Sequence, residues 1–204
     1  MSAVIVGAAG HGREVLDVVA ACGVDFAGFV DDGHPDLAIL RHRGVDLLGG
    51  LDWLERHDGV VVLGLGDSST RRHVGGSLDG TVVWAEALVH PLASIGSVVE
   101  LGAGTVVAAG ARLTTGITVG RHCYVGPNAT IGHDCVLQDY VTVLPGATVS
   151  GDVRLAAGAS VGTGANLRQG VSVGEGATVG AGAVVLGDVS SRAVVAGVPA
   201  RPLS

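Results

Sequence analysis

Residues 119–137 read VGRHCY-VGPNAT-IGHDCV-L, with an aliphatic residue at positions 119, 125, 131 and 137. The same spacing of six residues continues without interruption from Ile95 to Val185. Neither the 3.6-residue period of a helix nor the two-residue period of an ordinary strand produces this pattern. A strict period of six is typical of a hexapeptide β-helix, in which short strands coil around a narrow prism. The aliphatic positions are Ile95, Leu101, Val107, Leu113, Val119, Val125, Ile131, Leu137, Val143, Val149, Leu155, Val161, Leu167, Val173, Val179 and Val185.

The repeat also predicts how each coil is built. Three hexapeptides form one coil, with the aliphatic side chains pointing inward and stacking from coil to coil, and we expect about five coils. A small or branched residue stands four places after each aliphatic one, as Ala129 follows Val125, and we expect it to point into the narrow interior near a corner. Gly often comes directly after the aliphatic residue, as at Gly132. We expect such a Gly to relieve crowding and to permit a positive φ.

Composition excludes several classes of function. The formal net charge of −7 provides no basic footprint, so we expect no nucleic-acid partner. No run of 18 apolar residues and no signal peptide is apparent, so membrane insertion is not expected. Cys123 and Cys135 occupy the small inward position but lie on different faces of the prism, and Cys22 leaves an odd total. We interpret the three as reduced thiols, the two in the coil being buried, and predict a cytoplasmic protein.

The first third of the chain lacks the period of six. Apolar runs at 3–6, 26–30, 60–66 and 81–84 alternate with helical stretches, which predicts a small parallel α/β sheet. The first run leads into the turn GAAGHG at 7–12, which places backbone N–H groups and a positive helix end at the carboxyl edge of the sheet. Such an edge suits a phosphate group.

These observations divide the chain into four segments. We predict an α/β domain with a phosphate-binding edge at 1–84, a linker at 85–94, a β-helix at 95–187 and a C-terminal tail at 188–204.

The Gly-rich turn has two other interpretations. Gly7-x-x-Gly10-x-Gly12 with Asp31 about twenty residues later also fits a dinucleotide fingerprint. We disfavour NAD because the α/β segment is about half of a full dinucleotide fold and because His11 stands where a pyrophosphate loop keeps small residues. A Gly-rich turn without any ligand stays open.

Several motifs together resemble the PglD/NeuD family of bacterial sugar acetyltransferases over nearly the whole chain. The matching segments are Gly7-Ala8-Ala9-Gly10-His11-Gly12, Asp31-Asp32, Gly66-Asp67 with Arg71, Leu88-Val89-His90-Pro91, Gly132-His133-Asp134-Cys135 and Gly197-Val198-Pro199-Ala200. The resemblance implies a left-handed β-helix and a homotrimer with active sites between neighbouring prisms. It also implies acetyl-CoA as co-substrate and a nucleotide-activated amino sugar as acceptor.

His133 is the candidate general base. It stands next to a predicted corner, at a position where the side chain points outward, and acetyl transfer to an amine or hydroxyl needs a base. The resemblance implies that Asp134 orients its imidazole. An ordinary exposed histidine is the alternative, and His122 in the same coil, without motif support, illustrates it.

The resemblance also implies two sets of binding residues. The substrate-binding set is Gly10, His11, Asp31, Asp32, Gly66 and Arg71. The residues alone also allow interpretations without a ligand. Asp31-Asp32 would then form a turn at the end of a strand, His11 would satisfy local backbone groups of the helix, and Arg71 would lie on a solvated helix face. The acetyl-CoA set is Thr142, Gly151, Thr163 and Ala181. Gly151 would offer an N–H to the thioester oxygen, whereas Thr142 departs from the family, which commonly has a second histidine there.

We therefore expect an acetyl-CoA-dependent sugar N-acetyltransferase, with O-acetylation of a sialic-acid-like sugar as an alternative. A non-catalytic hexapeptide scaffold is an alternative of another class. A nucleotidyltransferase fused to a β-helix is disfavoured because 1–84 is too short and lacks a Lys/Arg-rich nucleotide loop. No His pairs with Cys or acidic residues at a metal-ligand spacing, so we predict no metal site.

Overall fold

A computed structural model describes residues 2–203. The first part of the chain is a five-stranded parallel sheet with strand order β3-β2-β1-β4-β5 and helices α1 to α3. Its elements are β1 Ala3–Val6, α1 Gly10–Ala21, β2 Phe26–Val30, α2 Leu37–His42, β3 Leu47–Gly49, a 3₁₀ helix Leu51–Arg56, β4 Val60–Leu63, α3 Ser68–Leu78 and β5 Val83–Trp84.

Burial explains why these segments form. Every residue of β1 is buried, as expected for the centre of a parallel sheet covered on both faces. Helix α1 contributes an apolar stripe that includes Val15 and Val19. Helix α3 begins after Asp67, whose side chain accepts a hydrogen bond from the Thr70 nitrogen at 2.7 Å. The sequence pattern did not indicate α2 or β3, which are too short to show a clear period.

The rest of the chain is a three-faced β-helix whose strands pair in parallel, except for the antiparallel pair at its C-terminal end. The first face is formed by β6 Leu88–Val89, β9 Val106–Val107, β12 Tyr124–Val125, β15 Thr142–Val143, β18 Ser160–Val161, β21 Thr178–Val179, β23 Val194–Ala196 and β24 Arg201–Pro202. The second face is formed by β7 Ser94–Ile95, β10 Arg112–Leu113, β13 Thr130–Ile131, β16 Thr148–Val149, β19 Asn166–Leu167 and β22 Val184–Val185. The third face is formed by β8 Val99–Leu101, β11 Ile117–Val119, β14 Val136–Leu137, β17 Arg154–Leu155 and β20 Ser172–Val173.

The strand register follows the predicted coil. Equivalent residues of successive coils pair directly, as Val125 pairs with Val143 and Ile131 with Val149. These inward side chains form one continuous buried core together with the small residues that follow them. Cys123 and Cys135 belong to this core, and all three cysteines are free thiols.

Two different rows of residues shape the corners. Every sixth residue from Val98 to Gly182 has φ between 54° and 76°, the left-handed conformation that closes each corner. The glycines directly after the aliphatic positions are not in this row, so the expectation that they adopt a positive φ was wrong. They permit close packing instead, because a Cβ at Gly132 would lie 2.6 Å from the nitrogen of Gly151 in the next coil.

The coil pairing extends beyond 95–187. Strand β6, inside the predicted linker, pairs with β9, and β23, inside the predicted tail, pairs with β21. The α/β domain packs on the first face, where Val106 and Tyr124 join a cluster with Val15 and Phe29. No helix within 2–203 is long and apolar enough to cross a membrane.

Candidate active site

One edge of the prism carries the predicted base. We call the corner between the second and third faces the open edge, formed at successive coils by 97–98, 115–116, 133–134, 151–152 and 169–170. His133 lies in the turn between β13 and β14, and its side chain is 52% exposed. Asp134 follows at the corner itself with φ of 60°, a conformation that Asp tolerates better than most residues. Its Oδ2 lies 2.8 Å from Nδ1 of His133.

The next coil supports the imidazole from one side. A Cβ at Gly151 would lie 2.4 Å from Nε2 of His133, so only a glycine leaves room for the ring in this position. The backbone is fixed as well, because the Asp152 nitrogen donates to the His133 carbonyl at 2.7 Å. A carboxylate at Nδ1 favours the tautomer that leaves the Nε2 lone pair free to accept a proton.

The Gly-rich turn of the α/β domain is tightly packed at its two ends. Gly7 has φ of 99°, and a Cβ at Gly12 would lie 1.9 Å from the Gly7 carbonyl oxygen. Between them, Gly10 is exposed and begins α1, and the N-cap residue Ala9 offers no side-chain acceptor. The first N–H groups of α1 are therefore available to an anion.

His11 lies where the α/β domain meets the coil. Its ring contacts Tyr124 of β12 edge to face with centroids 4.4 Å apart, and its Nδ1 is 3.5 Å from Oε2 of Glu14. Gly66 packs against it, since a Cβ there would lie 3.5 Å from the His11 Cβ. Burial and then the charge of Arg71 lower the pKa of His11.

The two aspartates after β2 are partly occupied by backbone groups. The Asp31 carboxylate accepts from the Ala8 nitrogen at 2.7 Å and from the Gly33 nitrogen at 2.8 Å, so it holds the Gly-rich turn against β2. Oδ1 of Asp32 accepts from the Leu51 nitrogen at 2.9 Å, while its other oxygen makes no hydrogen bond within 2–203. Asp32 thus keeps more capacity for a ligand than Asp31 does.

Arg71 does not have the environment that either interpretation predicts. The residue is 2% exposed, so the interpretation of a solvated helix face is wrong. Protein acceptors use every N–H of the guanidinium, which leaves no donor for a substrate phosphate and contradicts its place in the substrate-binding set. The acceptors are the carbonyl oxygens of Leu65, Gly66, His122 and Tyr140 and the hydroxyl of Thr142.

Comparison with known proteins gives the family. Residues 2–78 match the family model described as the PglD N-terminal domain, and residues 116–151 match the bacterial transferase hexapeptide model of six repeats. The acetyltransferase domain of PglB from Neisseria gonorrhoeae is 31% identical with a TM-score of 0.88, and the alignment covers 99% of each chain. This chain belongs to the PglD-like sugar acetyltransferases.

Two further members of the family are similar along the whole chain. PerB from Caulobacter crescentus, in complex with CoA and GDP-perosamine, is 29% identical with a TM-score of 0.92, covering 100% of this chain and 98% of PerB. WeeI from Acinetobacter baumannii is 29% identical with a TM-score of 0.88, covering 100% of both chains. No curated protein matches significantly. The predicted family and fold class, an α/β domain followed by a left-handed β-helix, are confirmed.

Within this PglD-like chain, the predicted acetyl-CoA residues lie in three places. Gly151 is on the open edge beside His133. Thr163 and Ala181 are exposed at the corner between the first and second faces, one coil apart. Thr142 is only 3% exposed, and its hydroxyl accepts from Nη2 of Arg71 at 2.7 Å. The α/β domain covers Thr142, so the expectation that it directly contacts the coenzyme is not supported by its position in this chain.

The candidate residues of this PglD-like chain form two separate groups. His133, Asp134 and Gly151 lie on the open edge, whereas Gly10, His11 and Gly66 lie beside the first face. Sequence reasoning missed Tyr124, which packs against His11. The signal in the sequence was an aromatic residue at an outward position of the first face. The equivalent outward positions of the second and third faces mostly carry Thr, Ser or Arg. Within residues 2–203, no three His, Cys, Asp or Glu residues group as metal ligands would.

Proposed function

We propose that this chain transfers an acetyl group from acetyl-CoA to the amino group of a nucleotide-linked sugar. The observation that carries the proposal is the full-length similarity to PerB, whose structure contains CoA and GDP-perosamine. The exposed His133–Asp134 pair supplies the base that such a transfer requires. The PglB acetyltransferase domain, which has been solved with acetyl coenzyme A, supports the identity of the donor.

The open edge supports a direct transfer. Nε2 of His133 removes a proton as the sugar amine attacks the thioester carbon, while Asp134 stabilises the imidazolium. The C–N bond forms, the C–S bond breaks, and the imidazolium returns its proton to the CoA thiolate. The Gly151 N–H has no acceptor among the described residues and lies beside the ring, so it could donate to the oxygen that becomes negative.

The α/β domain would hold the sugar nucleotide. The uncapped start of α1 suits the diphosphate, and Asp32 and His11 stand at the same edge of the sheet. We expect His11→Ala and Asp32→Ala to weaken sugar-nucleotide binding about tenfold and to spare acetyl-CoA. Titration calorimetry with each ligand tests this, and His34→Ala, an exposed histidine, is the control. Loss of coenzyme affinity alone would contradict the assignment.

The two groups of residues need a second subunit. His11 contacts the first face through Tyr124, whereas His133 is on the opposite, open edge of the same prism. A neighbouring subunit that presents its open edge to the α/β domain would complete the site, which supports the predicted homotrimer. Free thiols and a CoA co-substrate favour the cytoplasm.

Mixed assemblies test the shared site directly. After dissociation and reassembly together, His133→Ala and His11→Ala subunits should show more activity at subsaturating sugar nucleotide than either variant alone, because some sites then combine two intact residues. Light scattering should give three times the 20.1 kDa chain mass. A monomeric mass, or no recovery in verified mixed trimers, would contradict the arrangement.

The activity itself is tested by thiol release from acetyl-CoA. The acceptor panel should pair each nucleotide amino sugar with its hydroxyl analogue, so that N- and O-acetylation are separated. We expect turnover with an amino sugar only. Binding of sugar nucleotide without turnover would favour a scaffold, and binding of NAD in its place would favour a dinucleotide domain.

A further inference from the structure

A second edge of the prism is covered by helix α3. We call the corner between the third and first faces the covered edge, formed at successive coils by Gly104, His122, Tyr140 and Gly158. Nε of Arg71 donates to the His122 carbonyl at 2.9 Å and Nη2 to the Tyr140 carbonyl at 3.0 Å. The Ser68 hydroxyl donates to the Gly158 carbonyl at 2.8 Å. Helix α3 therefore binds the same carbonyl group in three successive coils.

These carbonyl groups depend on α3. In the part of the chain that the structure describes, the carbonyls of His122, Tyr140 and Gly158 accept no backbone hydrogen bond. A buried carbonyl without a donor is destabilising, so the covered edge needs donors from the α/β domain. Arg71 supplies two of the three.

The other side of the same guanidinium holds the sugar-binding end of the α/β domain. Nη1 of Arg71 donates to the Leu65 carbonyl at 2.8 Å and to the Gly66 carbonyl at 3.1 Å. Gly66 in turn packs against His11. One buried side chain thus joins the loop beside His11 to two coils of the β-helix.

The contacts of Arg71 indicate that it joins the α/β domain to the β-helix and does not form an ion pair. Its acceptors are all neutral, and no carboxylate lies within ion-pair distance of it among residues 2–203. A buried cation without an anionic partner is costly, and it persists here because the planar fork satisfies five acceptors at once. Lysine has three donors on a single nitrogen and could not reach both sides of this junction.

We propose that Arg71 is a positioning residue. It fixes where the sugar-binding domain sits along the axis of its own β-helix, and so aligns the acceptor with His133 of the neighbouring subunit. The inference rests on the proposed function, since alignment matters only if the two domains serve one reaction. A displacement of about 1 Å can reduce a rate about 100-fold even when binding is intact.

The first test compares two adjacent arginines of α3. Arg71→Gln should lower kcat about 10- to 100-fold, while the KM for acetyl-CoA changes less than about threefold. Arg72→Gln is the matched control. Arg72 is exposed and pairs with Glu175 across the same two elements, and its loss should leave kcat unchanged within about twofold. Equal kcat for Arg71→Gln and wild type would overturn the proposal.

A reversible tether separates positioning from a general loss of structure. The hydroxyl oxygens of Ser68 and Ser160 lie 3.5 Å apart across the junction, so cysteines at both positions should form a disulfide there. In the Arg71→Gln background, the oxidised protein should regain most of the lost kcat, and the reduced form of the same sample is the control. A verified disulfide without recovery would contradict positioning by Arg71.

Hydrogen exchange provides a readout that does not depend on activity. Arg71→Gln should accelerate exchange in α3 and in residues 121–124, whereas Arg72→Gln should not. Unchanged protection would overturn the proposal even for an active enzyme. If Arg71→Gln loses this protection but the wild type acetylates no nucleotide sugar, the proposed function would be contradicted, whereas the structural role of Arg71 at the junction would be supported.

Discussion

The open and covered edges of one prism carry two histidines with opposite properties. His133, on the open edge, is half exposed and pairs with Asp134. His122, on the covered edge, is 1% exposed, lies between Trp84 and Tyr140, and has no hydrogen-bond partner for either ring nitrogen among the described residues. Burial, followed by the charge of Arg121, lowers the pKa of His122 to about 4.

Position in the repeat accounts for only part of this difference. His122 is the corner residue of its hexapeptide and corresponds to Asp134, with which it shares a left-handed φ of 54° and 60°, whereas His133 stands one place before its corner. At the equivalent corner positions, the α/β domain buries His122, whereas Asp134 on the other edge stays exposed. Chemistry on this coil is therefore determined by what covers each edge.

The largest expected effect is a loss of kcat on changing the histidine of the open edge. His133→Ala should lower kcat by about two to four decades, because the proposed base is lost while the coil is unaffected. His122→Asn is the comparator, since Asn tolerates the left-handed corner and should keep most of the activity. Steady-state kinetics with light scattering checks both. Near-normal turnover by His133→Ala would remove this residue from the mechanism.

A smaller effect should follow from the glycine beneath His133. Gly151→Ala places a methyl group 2.4 Å from Nε2, so the ring must move, and we expect kcat to fall about 10- to 100-fold. Gly187→Ala is the matched control two coils further along the open edge, where a Cβ would meet no atom within 4 Å. Kinetics of the two variants decides. Equal turnover would mean that the position of the imidazole is not critical.

The coil could be predicted because the pattern that specifies it lies within short stretches of the sequence. A strict spacing of six residues fixes the inward positions, and stacking at 18 residues then follows, as in the pairing of Val125 with Val143. The assignment of positive φ failed because Gly occurs in two registers, as in Gly102-Ala103-Gly104, and composition cannot tell which one closes the corner. In the structure Gly104, with φ of 71°, is the glycine that closes the corner.

The candidate site was predictable only where it is local. His133 and Asp134 are adjacent in the chain, and their side chains are in contact. The surroundings of Arg71 depend instead on residues 51 to 71 positions away in another domain. No period or motif in α3 carries that information, so neither interpretation of Arg71 anticipated its burial.

The third prediction concerns the covered edge and acid. The folded pKa of His122, about 4, is below its unfolded value of 6.5, so the unfolded chain binds the proton more tightly. The free energy of unfolding should therefore decrease as the pH falls from 6.5 to 4. His122→Asn cannot take up this proton, and its slope should be smaller by up to about 1.4 kcal/mol per pH unit.

Denaturant unfolding across this pH range measures the difference between the two proteins. The other charged groups around His122, namely Arg71, Asp79, Arg121 and Asp139, are common to both and cancel in the comparison. Parallel curves would show that His122 is protonated equally in the folded and unfolded chains. Such a result would remove the electrostatic contrast between the two edges.

The smallest effect concerns strain at the start of the open edge. Val98 has φ of 55°, which is unfavourable for a β-branched residue, and the residue is 79% exposed, so little packing compensates for the strain. His122 and Tyr140 adopt the same conformation on the covered edge, but there they stack on each other with ring centroids 5.1 Å apart. Val98→Asn should therefore raise the free energy of unfolding by about 0.5–1 kcal/mol, whereas Tyr140→Asn should lower it by about 3 kcal/mol through lost packing. Chemical denaturation of both variants compares the edges, and destabilisation by Val98→Asn would mean that the exposed valine contributes more by contact than it costs in strain.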